Sequence, residues 1–181
     1  MKATGIVRRI DDLGRVVIPK EIRRTMRIRE GDPLEIYTDR EGEVIFKKYS
    51  PIGELNSFAS QYAETMHKTC NLAVAVCDRD AVIACSGLPK KEYGEKPVSN
   101  DIEHIMESRG FYRYKEGDRK IFITEEATDS FVSCAMPIIT AGDVTGCVIS
   151  AAREESERPE AELEGKLVQT AAGFLGKQLE T

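Results

Sequence analysis

The stretch Thr4-Gly5-Ile6-Val7-Arg8-Arg9-Ile10-Asp11-Asp12-Leu13-Gly14-Arg15-Val16-Val17-Ile18-Pro19 decides the architecture of the first part of this 181-residue chain. Apolar residues occupy much of both halves, and the polar segment Asp11–Gly14 separates them, which is typical of two short strands joined by a turn. We therefore predict strands over 4–10 and 15–18. Pro19 then suits the first position of a helix, where its missing N–H leaves no hydrogen bond unmade.

The residues that follow predict a short helix and a second hairpin. The helix spans Lys20–Arg29 and is stopped by Gly31 and Pro33. Two further strands, Leu34–Tyr37 and Val44–Lys48, enclose a polar turn. The order of elements in the first part is therefore strand, strand, short helix, strand, strand.

The first fifty residues contain more apolar side chains than so small a unit can bury, since two small hairpins are only marginally stable in water. A second copy of the chain could cover this surplus. We therefore predict an obligate homodimer in which strands of both chains share one core. The apolar residues concerned are Ile6, Val7, Ile10, Val16, Val17, Ile18, Leu34, Ile36, Val44, Ile45 and Phe46.

Charge divides the chain into two unlike parts. The whole sequence has a formal net charge of -5, but residues 1–50 carry 12 Lys/Arg against 9 Asp/Glu, and residues 1–29 carry 9 against 3. The remaining 131 residues carry 14 basic and 22 acidic side chains. This asymmetry indicates an anionic partner for the first part only.

Beyond Ser50-Pro51 the pattern predicts an α+β domain. Apolar residues recur on one helical face over Leu55–Met66, and a second helix of this kind is predicted to open at Pro159. Between them we predict an antiparallel sheet, a helix capped near Ser99 and a loop. The strands are predicted at 72–77, 82–85, 121–123, 131–139 and 144–151, and the loop at 86–97.

Several function classes lack their usual signals. No apolar run approaches the ~18 residues of a membrane-spanning helix, so no membrane partner is expected. The five cysteines include no Cys-x-x-Cys pair, which favours reduced thiols in a cytoplasmic protein. His67 and Cys70 have a spacing that two metal ligands could use, but no second pair completes a zinc site. Since the common catalytic and nucleotide-binding motifs are also absent, we expect no enzyme, no metal and no cofactor.

Basic residues are the strongest functional signal. Arg8, Arg9 and Arg15 flank the first turn, and the helix that follows carries four basic residues at i, i+3, i+4 and i+7 on one face: Lys20, Arg23, Arg24 and Arg27. The arginine fork suits phosphate because it makes two parallel hydrogen bonds and stays charged. By spacing alone, a nucleic-acid interface and a merely solvated charged face both remain open.

The same residues carry a resemblance to a known family. Residues 3–50, with Asp12-Leu13-Gly14-Arg15-Val16-Val17-Ile18-Pro19 and Glu21-Ile22-Arg23-Arg24, resemble the swapped-hairpin DNA-binding domain of AbrB-type transition-state regulators. The whole chain, with its final helix containing Thr170–Leu175, is similar to those regulators of spore-forming bacteria that add a GAF-type sensor domain.

The resemblance implies a fold, a function and a set of site residues. The fold is α+β, with a domain-swapped β-hairpin dimer over 1–52 and a GAF-like effector and oligomerisation domain over 53–181, in which helix 53–68 is the connector. The function is transcriptional regulation of sporulation, as activator or repressor, by a homodimer or homotetramer on double-stranded DNA. The DNA-contacting residues implied are Arg8, Arg15, Arg23 and Arg24, with Arg9 as an addition and Lys20 as a backbone contact.

Two questions stay open at this stage. The chain could instead be an antitoxin, because toxin-neutralising proteins use the same kind of DNA-binding domain, although they typically end in a short disordered tail. The second domain has no recognisable ligand motif, so its effector is unknown, and the domain could either sense a ligand or only hold the tetramer together. A small ligand could bind in a cup between the sheet and residues 86–117. One loop also carries basic residues that either meet an anionic effector or are merely solvated: Arg109, Arg113, Lys115 and Arg119.

Overall fold

The computed structural model describes residues 4–54, 56–153 and 160–180. The chain divides into two compact units, Met1–Tyr49 and Ser50–Thr181, so this boundary lies three residues before the predicted one at 52. Two positions of the sequence analysis lie outside the described residues: Leu55, which begins the first helical stripe, and Pro159, the predicted start of the last helix.

The first unit contains one short helix and one hairpin. Helix α1 spans Lys20–Thr25, and strands β1 (Leu34–Thr38) and β2 (Val44–Lys48) pair antiparallel. In this register Leu34 faces Lys48 and Thr38 faces Val44 across the ladder. The second predicted hairpin is therefore confirmed.

The first predicted hairpin forms its turn but not its strands. The Gly14 N–H donates to the Asp11 carbonyl and the Asp11 N–H to the Arg15 carbonyl, both at 3.0 Å. On either side of this turn the described residues 4–10 and 15–18 join no strand ladder, so the prediction of two strands is wrong for a single chain. Val7 is 89% and Val17 69% exposed, which means that these segments have no apolar surface of their own chain to pack against.

The first unit has almost no core. Among its described residues only Pro19 is buried. Nearly all large hydrophobic side chains that the described chain exposes lie here: Ile6, Val7, Ile10, Leu13, Val16, Val17, Met26, Ile36, Tyr37, Val44, Phe46 and Tyr49. Exposed apolar surface on this scale is typical of interaction surfaces.

The second unit is an antiparallel sheet with helices on both faces. The five strands lie in the order β4-β3-β7-β6-β5. No helix among the described residues is both long and apolar enough to cross a membrane. The elements are α2 (Pro51–Glu54), α3 (Asn56–Cys70), β3 (Ala73–Asp78), β4 (Val82–Ser86), α4 (Lys90–Tyr93), α5 (Asn100–Ser108), β5 (Tyr112–Arg113), β6 (Phe131–Thr140), β7 (Asp143–Ala152) and α6 (Ala161–Gln178).

Each face of this sheet has its own core. Helices α3 and α6 cover one face, where Ala59, Ala63 and Met66 of α3 and Val168 and Leu175 of α6 are buried. The α3 residues have the spacing of one helical stripe, as the sequence predicted. The stripe predicted for the last helix, Leu163, Leu167, Ala171, Phe174, Leu175 and Leu179, is wrong in part. Ala171 and Leu175 are buried, but Leu163 and Phe174 are exposed, because α6 packs on the sheet with the face that contains Val168. On the other face, α5 and the segment before it bury side chains that include Tyr93, Ile102, Ile105 and Ile123.

Two local predictions in the second unit are wrong, and one strand was missed. The loop predicted over 86–97 contains helix α4, whose Tyr93 is fully buried and so anchors the segment. The strand predicted over 121–123 is a single bridge between Phe122 and Phe131. Strand β5, which pairs with β6, was not predicted because a segment of two residues is too short to show a period. By contrast, α5 begins after Ser99, whose hydroxyl accepts the N–H of Ile102, as predicted.

Candidate nucleic-acid interface

The six predicted contact residues all lie exposed in the first unit. Arg8 and Arg9 precede the first turn, Arg15 follows it, and Lys20, Arg23 and Arg24 belong to α1. None of their side chains is covered by another part of the chain. They are therefore free to approach a polyanion.

Arg15 is held by the turn that precedes it. Asp11 Oδ1 accepts the backbone N–H groups of Leu13 (3.0 Å) and Arg15 (2.8 Å), while Asp11 Oδ2 accepts Nε–H of the Arg15 guanidinium at 2.8 Å. Gly14 completes the turn at a φ of +76°, a left-handed conformation that favours glycine. The backbone N–H of Arg15 and then its side chain lower the pKa of the Asp11 carboxyl.

Helix α1 presents its basic residues at both ends. Pro19 precedes the helix, so Lys20 lies in the first turn, and the Arg23 N–H donates to the Pro19 carbonyl at 2.9 Å. Arg23 and Arg24 lie in the last turn, where the partial negative charge of the helix end favours cations. Helix α1 has no buried residue, so no apolar core of this chain supports it.

Arg27 does not extend the basic face of α1. The helix ends at Thr25 rather than at Arg29, and Arg27 adopts a left-handed φ of 51°. Its carbonyl oxygen accepts a hydrogen bond from Nζ of Lys48 at 2.8 Å, which ties this turn to β2. The predicted i+7 position is therefore wrong, because a helix of six residues is too short to include it.

The sequence analysis treated Asp11 only as a turn residue and missed its contact with Arg15. A signal was present, since the spacing Asp-x-x-Gly-x occurs twice in the first fifty residues, at Asp11–Arg15 and at Asp39–Glu43. In the second loop Asp39 Oδ1 likewise accepts the N–H groups of Glu41 and Glu43, at 3.0 and 2.9 Å. Both loops thus have an aspartate that organises the backbone.

The basic residues proposed for an anionic effector in the second unit are bound to different parts of the chain. The Arg109 guanidinium donates to the carbonyl of Gly142, and that of Arg113 donates to the carbonyl of Ala161 at 2.7 Å. Arg119 pairs with Asp101. The backbone of Lys115 bonds to the carboxylate of Asp118. These contacts favour the interpretation of the four residues as separate surface charges over the alternative of one anion site.

Several thiols and a histidine of the second unit contact nearby groups of the chain. His67 Nδ1 lies 2.9 Å from the Leu72 carbonyl oxygen, and Cys70 contacts the hydroxyl of Thr69. Cys77 and Cys147 face each other across β3 and β7 in the core, and burial raises the pKa of the Cys147 thiol. In the described part of the chain, no three His, Cys, Asp or Glu side chains are arranged to hold a metal ion.

The region of the predicted ligand cup is filled by apolar side chains. Tyr93, Ile102 and Ile123, all fully buried, lie between the sheet and the inserted segment. Burial is also the main cause of the raised pKa of the Tyr93 hydroxyl. A ligand in this region stays a prediction.

Comparison with known proteins identifies both units. Residues 54–180 match the family model described as stage V sporulation protein T C-terminal, transcription factor. Residues 7–53 match the model described as antidote-toxin recognition MazE, bacterial antitoxin. The two matches meet close to the boundary between the units.

Similar proteins cover the chain at full and partial length. The stage V sporulation protein T of Bacillus subtilis is 49% identical over 180 residues, which are 99% of either chain. The transition state regulatory protein AbrB of the same organism is 38% identical over 108 residues, 60% of this chain and 96% of the relative.

The second unit has the fold of a GAF domain. The GAF domain/HD domain protein of Geobacter sulfurreducens has a TM-score of 0.53 and 17% identity, and the match covers 69% of this chain and 91% of the other. The α+β fold and the family resemblance predicted from the sequence are confirmed. With a family match over 54–180 and a relative 49% identical over nearly its whole length, this chain belongs to the stage V sporulation protein T family of transcription factors.

Proposed function

We propose that this transcription factor binds double-stranded DNA through Arg8, Arg9, Arg15, Lys20, Arg23 and Arg24. The observation that carries the proposal is that all six side chains are exposed on the one unit with a basic segment, residues 1–29, where nine Lys or Arg stand against three Asp or Glu. Such a segment attracts the phosphate backbone, and its arginine forks suit both phosphates and guanine edges.

The DNA-binding species is a homodimer of the first unit. Its unpaired segments, 4–10 and 15–18, expose apolar side chains that a second copy could cover by pairing strands with them. Pairing also doubles the basic residues and gives the two-fold symmetry suited to duplex DNA. This arrangement is the swapped hairpin that the sequence resemblance implies.

The second unit joins two dimers into a tetramer. Phe174 of α6 stacks on Phe58 and Tyr62 of α3 at centroid distances of 5.6 and 5.7 Å, and it remains partly exposed. Leu163, near the start of α6, is exposed as well. Apolar side chains on two packed helices form a surface that a second copy could cover.

The biological role proposed is control of sporulation genes, as activator or repressor, in the cytoplasm where the DNA lies. The relative that matches over nearly the whole chain bears a sporulation name, which supports this role. For the second unit we propose a sensing function that modulates DNA binding without catalysing a reaction. Its effector has no assigned chemistry.

An antitoxin function is the alternative to transcriptional regulation, and it has the weaker support. It is supported by the MazE match, which is confined to residues 7–53. The match over residues 54–180, a folded domain where antitoxins carry a disordered tail, favours the transcription factor. A neighbouring gene for a small toxin would favour the antitoxin instead.

Fluorescence anisotropy with the full chain tests the DNA proposal. Duplexes selected from a randomised library by the unaltered protein serve as probes, and a shuffled duplex serves as reference. Arg15→Ala and Arg24→Ala should each weaken binding by about 1–3 kcal/mol, because each would remove a bidentate contact. Lys91→Ala is the matched control, since it removes one exposed charge from the second unit.

The salt dependence of binding shows which of the basic residues contact a phosphate. Removal of a phosphate contact should reduce the slope of log K against log salt by about 0.9 per phosphate. Unchanged affinity for both arginine variants, with secondary structure intact by circular dichroism, would place the DNA interface elsewhere.

A further inference from the structure

We propose that Asp11 is a positioning residue that holds the Arg15 guanidinium so that its two terminal amino groups read a guanine edge in the major groove. The inference rests on the proposed DNA contact of Arg15 and adds two things to it. It assigns a role to an acidic residue in a basic surface, and it assigns a base rather than a phosphate to this arginine.

The geometry fixes Arg15 at two points. Its backbone N–H and its Nε–H reach different oxygens of the same carboxylate, each at 2.8 Å. The Arg15 side chain nevertheless stays 68% exposed, so the guanidinium is restrained without being covered. With Nε–H donated to Asp11, the Nη1 and Nη2 groups are the donors left for another acceptor.

The second Asp-x-x-Gly-x loop acts as an internal comparison. Asp39 Oδ1 bonds two backbone N–H groups just as Asp11 Oδ1 does, and the Asp39 N–H donates to the Glu43 carbonyl at 3.2 Å. The last residue there is Glu43, which offers no cation to Oδ2. The turn therefore needs only Oδ1, and the bond from Oδ2 to Arg15 is an addition that serves the arginine.

Electrostatics distinguishes the two possible targets of Arg15. A carboxylate beside an arginine repels a phosphate, so it would weaken a contact whose only purpose is charge neutralisation. A guanine presents the O6 and N7 acceptors, which are neutral and require two parallel donors in one plane. Holding the fork in place lowers the ordering cost of such a contact, so Asp11 improves base reading while it weakens non-specific attraction.

The experiment measures base preference rather than affinity alone. The probes are a duplex selected by the unaltered full-length protein, a shuffled duplex, and copies of the selected duplex in which 7-deazaguanine replaces single guanines and removes the N7 acceptor. The variants are Asp11→Asn, which keeps Oδ1 for the backbone, and Arg15→Ala. The controls are Asp39→Asn, which alters the loop without an arginine, and Asp12→Asn, which makes the same charge change one residue away.

The unaltered protein should lose roughly 5- to 100-fold in affinity at one deazaguanine position, the range expected of a bidentate pair. In the Asp11→Asn variant, the ratio of the affinities for the selected and the shuffled duplex should fall by a similar factor. Deazaguanine at that position should no longer change the affinity of this variant. Its binding to the shuffled duplex should tighten. Asp12→Asn and Asp39→Asn should keep the preference and the deazaguanine penalty.

Two outcomes would overturn the inference, and they differ from failure of the proposed interface. If Asp11→Asn behaves as Asp12→Asn does, Asp11 contributes only its charge. If no deazaguanine position depends on Arg15 although Arg15→Ala weakens all duplexes equally, the arginine contacts phosphate. If Arg15→Ala binds every duplex as the unaltered protein does, the proposed contact of Arg15 with DNA is itself wrong.

Discussion

The carboxylate of Glu164 on α6 accepts a hydrogen bond from the hydroxyl of Ser150 on β7 at 2.7 Å, in the interior of the second unit. Its other oxygen accepts the hydroxyl of Ser133 on β6 at 2.9 Å. A single buried acidic side chain thus joins the last helix to two neighbouring strands. Because the polar groups satisfy one another, their burial is tolerated in an otherwise apolar layer.

Loss of this carboxylate should destabilise the second unit. Glu164→Ala would leave two buried serine hydroxyls without an acceptor, at a cost of about 1–3 kcal/mol each. Thermal unfolding at a fixed protein concentration measures the effect. Glu162→Ala is the control, because Glu162 pairs with Lys166 on the exposed side of the same helix, where such a pair contributes less than about 1 kcal/mol. Equal effects of the two changes would contradict the buried contact.

Two glycines of α6 should respond oppositely to alanine. A Cβ at Gly176 would lie 2.5 Å from the Ile139 carbonyl oxygen, so the helix would have to move away from β6. We expect Gly176→Ala to cost about 1–3 kcal/mol in the free energy of unfolding, as overpacked cores do. At Gly173 the added Cβ meets nothing within 4 Å, so the gain in helix propensity, up to about 1 kcal/mol, should dominate. Denaturant titration at one protein concentration compares the two, and a stable Gly176→Ala variant would refute the close approach of α6 to β6.

The buried thiols should make the second unit less stable at alkaline pH. Burial raises the pKa of Cys134 and Cys147 above the ordinary value of 9.0, so the folded state keeps both thiols protonated. Their contribution is complete below that value and is lost as pH rises, because the unfolded chain then releases protons that the folded chain retains. Stability should fall above about pH 9, by at most about 1.4 kcal/mol per pH unit and thiol.

Denaturant titrations between pH 7 and 10.5 check this slope. Cys134→Ala should flatten it, whereas Cys70→Ala, which changes a half-buried thiol near the end of α3, should leave it unchanged. An alkylating reagent at pH 8 should also modify Cys70 long before Cys134 or Cys147, because the buried thiols are neither ionised nor accessible. Rapid modification of Cys147 in the folded protein would contradict its burial.

Residues 1–52 alone should form a dimer with no stable folded monomer. The exposed side chains of Val7, Val17 and Phe46 leave one copy without a core, so folding and association are expected to occur together. Equilibrium sedimentation and circular dichroism across a dilution series should show that structure is lost as the dimer dissociates. A folded monomer at micromolar concentration would refute the shared core.

Much of the local structure of this protein could be predicted from its sequence, because it depends on residues that are close together in the chain. The turn at Asp11–Gly14, the hairpin of β1 and β2 and the Ser99 cap depend on hydrogen bonds between residues close together in the chain. The stripe of α3 depends on a regular period of apolar residues. The basic surface was visible for the same reason, since its members cluster within the first 29 residues.

Only the tertiary structure showed the side-chain contacts that join residues far apart in the chain. Arg109 and Arg113 form bonds to carbonyl groups 33 and 48 residues away, which no spacing rule could have indicated. Glu164 reads in the sequence as one more exposed acidic residue of a helix, and only the packing of α6 against β6 and β7 buries it between two serines. For residues 4–10 and 15–18 the sequence supplied the strand pattern but not the pairing, because a strand needs hydrogen-bond partners, and within one chain this segment has almost none beyond its turn.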